Sequence, residues 1–185
     1  MRQTEYVILG LLSESPLTGY EMKSIIDVRF RFFWSESYGQ LYPALKSLSS
    51  DGFIEELIME LDSKRSQKRY QITSEGLSAL QQWLQLPVEK ESVRLELLLK
   101  MYFSNLVNEE VMMGHIQCFQ ESHQKDIMIL NMFDQELKSI LDQDPNHGHV
   151  LRVIDFGKKV NEAYLNWSLE TLLFLEERIK NETKN

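Results

Sequence analysis

Two capping boxes near the beginning of the chain constrain its fold more than any other feature. In a capping box, an N-cap Ser or Thr and a Glu or Gln three residues later each satisfy a backbone N–H at the start of a helix. Thr18 with Glu21 and Ser37 with Gln40 match this pattern, and a dense apolar run over residues 7–12 precedes both. The sequence therefore predicts three short helices within about the first 50 residues.

A hairpin and a fourth helix are predicted to follow the third helix. Residues 53–61 have strand character, residues 62–68 are polar, and residues 69–72 alternate as a returning strand. Residues 73–86 then carry apolar side chains at helical spacing before Pro87 ends the pattern. Three helices, a hairpin and a fourth helix in this order are typical of a winged helix-turn-helix, in which the hairpin is the wing.

The second half of the chain is predicted to be almost entirely helical. Apolar residues recur at helical spacing over residues 92–102, 109–141 and 149–179. The last two segments are longer than a compact bundle requires, so we expect a second subunit to cover part of each stripe. The predicted dimerisation residues are Val153, Val160, Tyr164, Trp167, Leu172 and Leu175.

Together these patterns predict a mainly α protein with a small β-hairpin wing. We expect a winged helix-turn-helix domain at residues 1–86. We expect an antiparallel long-helix dimerisation domain at residues 87–185.

The net charge of −8 argues at first against a nucleic-acid partner, because phosphates attract Lys and Arg. The acidity is uneven, however. Residues 1–85 carry nine basic and eleven acidic side chains, whereas residues 86–185 carry eleven and seventeen. Four of the six residues from Lys64 to Arg69, at the predicted hairpin tip, are basic. The local arrangement therefore leaves DNA binding open.

The third helix has two unlike faces. Leu41, Leu45 and Leu48 fall on one side and are predicted to bury against the first two helices. The opposite side offers hydrogen-bonding groups, a cation and apolar atoms, a mixture that suits the major groove better than an ordinary solvated face. Its residues are Gly39, Gln40, Tyr42, Pro43, Lys46 and Ser47. Pro43 would cost about 3 kcal/mol in a regular helix interior, so we expect a bend or a compensating interaction.

Further candidate DNA contacts lie beside this helix. Tyr20 and Lys23, three residues apart on the second helix, are placed to reach the sugar-phosphate backbone, although Tyr20 is equally well explained as a core or surface aromatic residue. The basic wing is predicted to grip phosphates or an adjacent minor groove, although most charge runs are only solvated. Its residues are Lys64, Arg65, Lys68 and Arg69.

No pattern in the sequence predicts an enzyme, a cofactor or a metal site. His147 and His149 lie in a predicted loop without a carboxylate partner, and we find no glycine-rich phosphate loop or nucleophile elbow. Cys118 is the only cysteine, and we expect a buried core thiol. Since no apolar run is long enough to cross a bilayer and no signal peptide begins the chain, we expect a cytoplasmic protein without a membrane partner.

Several strings in residues 5–84 resemble the PadR family of transcriptional regulators. The Leu-Tyr-Pro-x-Leu string at residues 41–45 is the most specific of them. The matching strings are Ile8–Leu12, Gly19–Met22, Gly39–Leu45, Leu48, Asp51–Ile54 and Arg69–Thr73, followed by Gly76, Leu80 and Trp83. The rest of the chain resembles the longer helical tail of the subgroup that also contains AphA-like virulence activators.

The resemblance implies a homodimer that binds double-stranded DNA at an inverted-repeat operator, usually as a repressor. It also implies a small hydrophobic or aromatic effector near the dimer interface. Trp34, Tyr164 and Trp167 are candidate walls for it, although aromatic residues at helical spacing are more often core residues. Carried over residue by residue, the family's DNA-contacting positions are Tyr20, Lys23, Tyr38, Gln40, Tyr42 and Lys46, together with the basic wing.

One alternative function remains open, a winged-helix module that binds another protein. Winged helices sometimes use their surfaces for protein partners, and long helical stripes bind other helices. Salt distinguishes the two functions, because DNA binding through several phosphates weakens steeply as salt rises.

Overall fold

The computed structural model describes residues 1–59, 67–90 and 93–182 and is mostly helical. The chain divides into two compact units, residues 1–90 and residues 91–185, each of which is described by itself.

The first unit has the predicted order of three helices, a hairpin and a fourth helix, which confirms the winged helix-turn-helix. Its elements are α1 (Gln3–Glu14), β1 (Leu17–Thr18), α2 (Gly19–Ile25) with a π-helical turn (Ile26–Phe30), α3 (Tyr38–Ser50), β2 (Ile54–Met59), β3 (Gln67–Ile72) and α4 (Ser74–Trp83). The two-residue strand β1 was not predicted, because two residues are too few to show alternation. It pairs antiparallel with β3, which also pairs antiparallel with β2.

The core of the first unit lies between its helices and the sheet. α1 contributes the fully buried Ile8 and Leu9, and α3 contributes Leu41, Leu45 and Leu48, as predicted. Each such side chain contributes about 1.5–3 kcal/mol when it leaves water. Burial of this row fixes which face of α3 points outward.

Close packing of α4 against the start of β2 depends on Gly76. A Cβ atom at this position would lie 2.1 Å from the carbonyl oxygen of Phe53. The N-cap Thr73 donates its hydroxyl to the carbonyl of Gly52 over 2.8 Å, which ties the same two elements together. α4 is therefore held against the turn at Gly52 and Phe53, just before β2, by both backbone proximity and a hydrogen bond.

The second unit is built around an antiparallel pair of long helices. Its elements are α5 (Glu96–Tyr102), a 3₁₀ turn (Ser104–Leu106), α6 (Glu109–Ser139), a second 3₁₀ turn (Leu141–Gln143) and α7 (His147–Glu182). The predicted helix over residues 92–102 begins only at Glu96, and Ser92 lies outside the described residues. No helix in the described part of the chain is long and apolar enough to cross a membrane.

α6 and α7 are joined by an apolar core and a buried polar contact. Met112 and Ile116 of α6 pack against Leu175 of α7. Further along, His123 Nδ1 lies 2.6 Å from Asn161 Oδ1, and Asn161 is only 5% exposed. Since buried polar groups need partners, this pair fixes the register of the two helices.

Two predictions for this unit were wrong. Leu175 was predicted to contact a second subunit, but it has no exposed surface because it packs against α6. Leu172 is only partly buried beside this core, as Trp167 is, so its part in the subunit contact stays a prediction. The helical spacing of apolar residues does not indicate whether the apolar face of a helix packs within its own chain or against a second subunit. Cys118, predicted to be buried, is exposed.

Candidate nucleic-acid interface

The capping box predicted at the start of α3 is present and fixes the first turn of the helix. Ser37 is the N-cap in extended conformation, and its backbone N–H donates to Gln40 Oε1 over 2.9 Å. The Ser37 hydroxyl donates to the same oxygen over 2.8 Å. Because this oxygen is committed to the cap, a contact from Gln40 to a base would come from its Nε2 group.

The outward face of α3 carries the predicted residues. Gly39, Gln40, Tyr42, Pro43 and Lys46 are exposed. α3 continues through Pro43, which lacks the N–H that would bond to the carbonyl of the exposed Gly39. The face therefore presents a donor, a cation and an aromatic ring on one rigid helix.

Ser47 is half-buried at the edge of this face. Its hydroxyl donates to Asp51 Oδ2 over 3.3 Å. The hydroxyl of Ser47 is therefore engaged within α3, at the margin of the outward face.

A pair of tyrosines stands at the amino-terminal half of α3. The rings of Tyr38 and Tyr42 stack with their centroids 6.0 Å apart, and both side chains are about half exposed. A Cβ atom on Gly19, the first residue of α2, would lie 3.1 Å from Tyr42 Cε1 and 3.3 Å from Leu45 Cδ1. The absence of a side chain at Gly19 thus lets α2 approach α3 and support the Tyr42 ring. The sequence analysis named Gly19 only within the string Gly19–Met22, and its packing role was missed because it depends on a contact with another helix.

The two candidates on α2 differ in their surroundings. Tyr20 is 70% exposed and available to a ligand. The Lys23 ammonium pairs with the Asp27 carboxylate one turn along and lies 5.6 Å from the centroid of the Tyr38 ring. A contact from Lys23 to a phosphate would therefore exchange Asp27 for that phosphate.

Only part of the predicted basic wing falls within the described residues. Lys64 and Arg65 lie outside them. Lys68 is exposed on β3, and its Nζ atom lies 3.0 Å from Glu56 on β2. This hydrogen bond and the charge of Glu56 raise the pKa of Lys68.

The structure gives Arg69 a role other than the predicted grip on DNA. Its guanidinium donates to the carbonyl of Pro16 and to Glu21 Oε1, each over 2.8 Å. The hydrogen bond from the Thr18 backbone, together with the Arg69 charge, holds the pKa of Glu21 below its usual range. The register places Arg69 opposite Thr18, so it anchors the wing to the start of α2. Adjacency in sequence had grouped it with the tip.

The second unit contains an apolar cavity of about 150 Å³. Two of the three predicted aromatic walls, Tyr164 and Trp167, line it, whereas Trp34 does not. The remaining lining residues are Leu95, Leu97, Leu98 and Phe119. His123 adjoins the same cluster, with its ring centroid 4.2 Å from that of Phe119 and 4.7 Å from that of Tyr164.

Comparison with protein families gives two matches along the chain. Residues 8–82 match the model of the PadR-like family of transcriptional regulators. Residues 93–176 match the model of the carboxy-terminal region of virulence activator alpha. Both resemblances predicted from the sequence are thereby confirmed.

Similar proteins match the chain over nearly its full length. The negative transcriptional regulator PadR of Bacillus subtilis is 30% identical over 179 residues, which cover 94% of this chain and 97% of that protein. A crystal structure of Bacillus subtilis PadR in complex with operator DNA has a TM-score of 0.81 at 28% identity and covers 95% of this chain and 98% of its own. A structure of the same protein in complex with p-coumaric acid has a TM-score of 0.67 at 26% identity, with coverages of 95% and 98%.

Proposed function

This chain belongs to the PadR-like family of transcriptional regulators, and from that premise we propose that it is a homodimeric repressor that reads an inverted-repeat operator with α3. The family and the relatives are DNA-binding transcriptional regulators and not enzymes. A regulator of this kind acts where the chromosome lies, so we also propose a cytoplasmic location.

The observation that carries the proposal is the outward face of α3. Gln40, Tyr42 and Lys46 are exposed on a helix whose opposite side is fully buried. A single helix fits the major groove, where amide groups contact base edges, cations contact phosphates and apolar atoms contact thymine methyl groups. The proposed DNA-contacting set is Tyr20, Lys23, Tyr38, Gly39, Gln40, Tyr42, Pro43, Lys46 and Ser47 with Lys64, Arg65 and Lys68, while Arg69 supports the wing.

We propose that the two subunits pair through a row of apolar side chains along α7, which we call the seam. Val153, Val160, Trp167 and Phe174 recur every seven residues, with Phe156 between the first two. Val153, Phe156 and Phe174 are about half exposed or more, and Val160 and Trp167 are half-buried. An apolar row at seven-residue spacing is typical of a helix that packs against another helix. We propose that a second copy of the chain covers this seam, with Leu175 excluded.

The cavity of the second unit suits a small aromatic effector. At about 150 Å³ and with apolar walls, it matches a cavity that holds a benzene-sized molecule. The p-coumaric acid complex of the Bacillus subtilis relative supports an effector that carries an aromatic ring. Trp167 belongs both to the cavity wall and to the α7 seam, so a bound molecule would act on the subunit contact.

The proposal is tested by selecting fragments bound from random duplex DNA at physiological salt. We expect an inverted repeat whose half-sites are about 10 base pairs, or a multiple of that distance, apart. Affinity for the selected operator should fall by about a thousandfold between 50 and 200 mM salt. No enriched sequence, with binding that is insensitive to salt, would favour the protein-interaction module.

The effector proposal is tested by calorimetric titration with indole and with p-coumaric acid. Because the cavity walls are apolar, we expect indole to bind more tightly than the carboxylate-bearing acid. Leu98→Trp should fill the cavity and abolish binding, whereas Leu99→Trp, at an exposed neighbour that does not line the cavity, should not. Equal binding to both variants would place the effector elsewhere.

A further inference from the structure

The segment between α2 and α3 contains a buried carboxylate with one oxygen left without a partner. Glu36 is only 4% exposed, although Ser35 and Ser37 on either side are exposed. The indole Nε1–H of Trp34 donates to Glu36 Oε1 over 2.9 Å. Glu36 Oε2 is buried and has no hydrogen-bond partner among residues 1–59, 67–90 and 93–182.

This arrangement costs free energy that an ordinary loop glutamate avoids. A buried carboxylate with an unsatisfied oxygen destabilises the folded state, whereas a side chain in an exposed segment can usually turn to water. The inward orientation of Glu36 therefore does not stabilise the fold. Its contribution lies in the neighbouring residues that it positions.

Trp34 and Glu36 connect the end of the second helix to the start of the third. The backbone N–H of Trp34 donates to the carbonyl of Phe30, the last residue of the π-helical turn, over 2.8 Å. Turns of this kind are rare and often lie at functional sites. Glu36 directly precedes the N-cap Ser37, whose backbone N–H must point at Gln40 for the capping box to form. The bond between Trp34 and Glu36 thus fixes the path of the chain into α3.

We propose that Glu36 is a positioning residue for operator recognition. Held by the Trp34 indole, it sets the direction in which α3 leaves the loop, and so sets where Tyr38 and Tyr42 meet the DNA. The proposal rests on the proposed function, since it assumes that α3 reads DNA. Glu36 is held by a single hydrogen bond, and its buried carboxylate is itself destabilising. We therefore expect loss of that bond to change the direction of α3 more than it lowers the free energy of unfolding.

Three variants of the full-length chain separate the hydrogen bond from the charge. Glu36→Gln keeps an acceptor for the indole and removes the charge, Glu36→Ala removes both, and Trp34→Phe keeps a ring but removes the donor. We expect Glu36→Ala and Trp34→Phe to lose affinity for the selected operator by about tenfold, while Glu36→Gln stays within about twofold of the wild type. Affinity for random duplex DNA, which depends on phosphate contacts, should stay within about twofold in all three.

The indole N–H signal of Trp34 in a nitrogen-15 NMR spectrum gives a readout that does not depend on DNA. We expect it to be protected from solvent exchange in the wild type and in Glu36→Gln and to lose protection in Glu36→Ala. If Trp34→Phe does not fold, the contrast between the two Glu36 variants decides alone.

Three results would overturn the proposal: equal losses on operator and random DNA, a Glu36→Ala protein with wild-type discrimination, or a Glu36→Gln protein as impaired as Glu36→Ala. A wild type that does not discriminate between the two DNAs would instead refute the proposed function. The indole signal would then still report whether Glu36 holds Trp34.

Discussion

α3 and α7 each bury one face and expose the other, but different forces set their orientation. α3 has 13 residues, and its direction depends on a few specific contacts: the capping box of Ser37 and Gln40 and the close approach of Gly19. α7 has 36 residues and is held mainly by apolar packing against α6, with the contact between His123 and Asn161 to fix its register. A short recognition helix is therefore sensitive to single polar contacts, whereas a long pairing helix is sensitive to which apolar side chain is removed.

The largest expected effect tests how far the first unit depends on one specific contact. Gly76→Ala places a Cβ atom against the backbone carbonyl of Phe53, which cannot move aside as a flexible side chain would. We expect the free energy of unfolding of the first unit to fall by about 4 kcal/mol or more, measured by urea titration with circular dichroism. Gly10→Ala is the matched control, because a Cβ atom there meets nothing within 4 Å. A stable Gly76→Ala protein would mean that α4 does not need this approach.

Neighbouring residues of α7 separate its intrachain face from its proposed seam. Leu175→Ala leaves a cavity against Met112 and Ile116, so we expect a loss of about 2–5 kcal/mol in the free energy of unfolding at every protein concentration. Phe174→Ala removes a half-exposed ring, so its effect should grow on dilution as the dimer dissociates. Sedimentation at several concentrations measures the difference. A Phe174→Ala protein that dimerises like the wild type would remove Phe174 from the seam.

On α3, the substitutions Gln40→Glu and Gln40→Ala separate capping from recognition. Glu keeps an acceptor for the Ser37 backbone N–H but places a negative charge at the groove, whereas Ala loses both functions. We expect Gln40→Glu to keep the wild-type melting temperature yet lose about 1–3 kcal/mol of discrimination between operator and random DNA. Gln40→Ala should also lose thermal stability. Equal operator affinity for Gln40→Glu and wild type would restrict Gln40 to capping.

The same contrast explains which features could be predicted from the sequence. Capping boxes and the leucine row of α3 are local signals, because the groups involved are three or four residues apart. They predicted the start of α3 and most of its outward face. The interior position of Leu175 was missed because a stripe on α7 carries no information about which helix covers it.

Contacts distant in sequence were also beyond prediction. Arg69 was placed in the basic tip by its neighbours, but strand register brings it to Pro16 and Glu21, about 50 residues away in the chain. Gly19 was named only as part of a string that resembles the family, and its packing role follows from its contact with the Tyr42 ring. Such roles depend on register and helix packing, which a single sequence does not specify.

The smallest expected effect concerns the anchor of the wing and depends on pH. Because hydrogen bonding from Thr18 and the Arg69 charge lower the pKa of Glu21 in the folded state, the carboxylate contributes stability above its unfolded pKa of about 4.3. That contribution is lost as the pH falls through the lower, folded pKa. The ion pair is more than a third exposed, so we expect Glu21→Gln to cost less than about 1 kcal/mol at pH 7 and almost nothing near pH 2.

A double-mutant cycle with Arg69→Met, measured by urea unfolding at both pH values, isolates this ion pair. The coupling free energy between the two positions should be measurable at pH 7 and vanish in acid, where Glu21 is protonated. A coupling that persists in acid would mean that Arg69 holds the protonated Glu21 through a hydrogen bond and not through an ion pair. In that case the wing would keep its position at any pH at which the core itself survives.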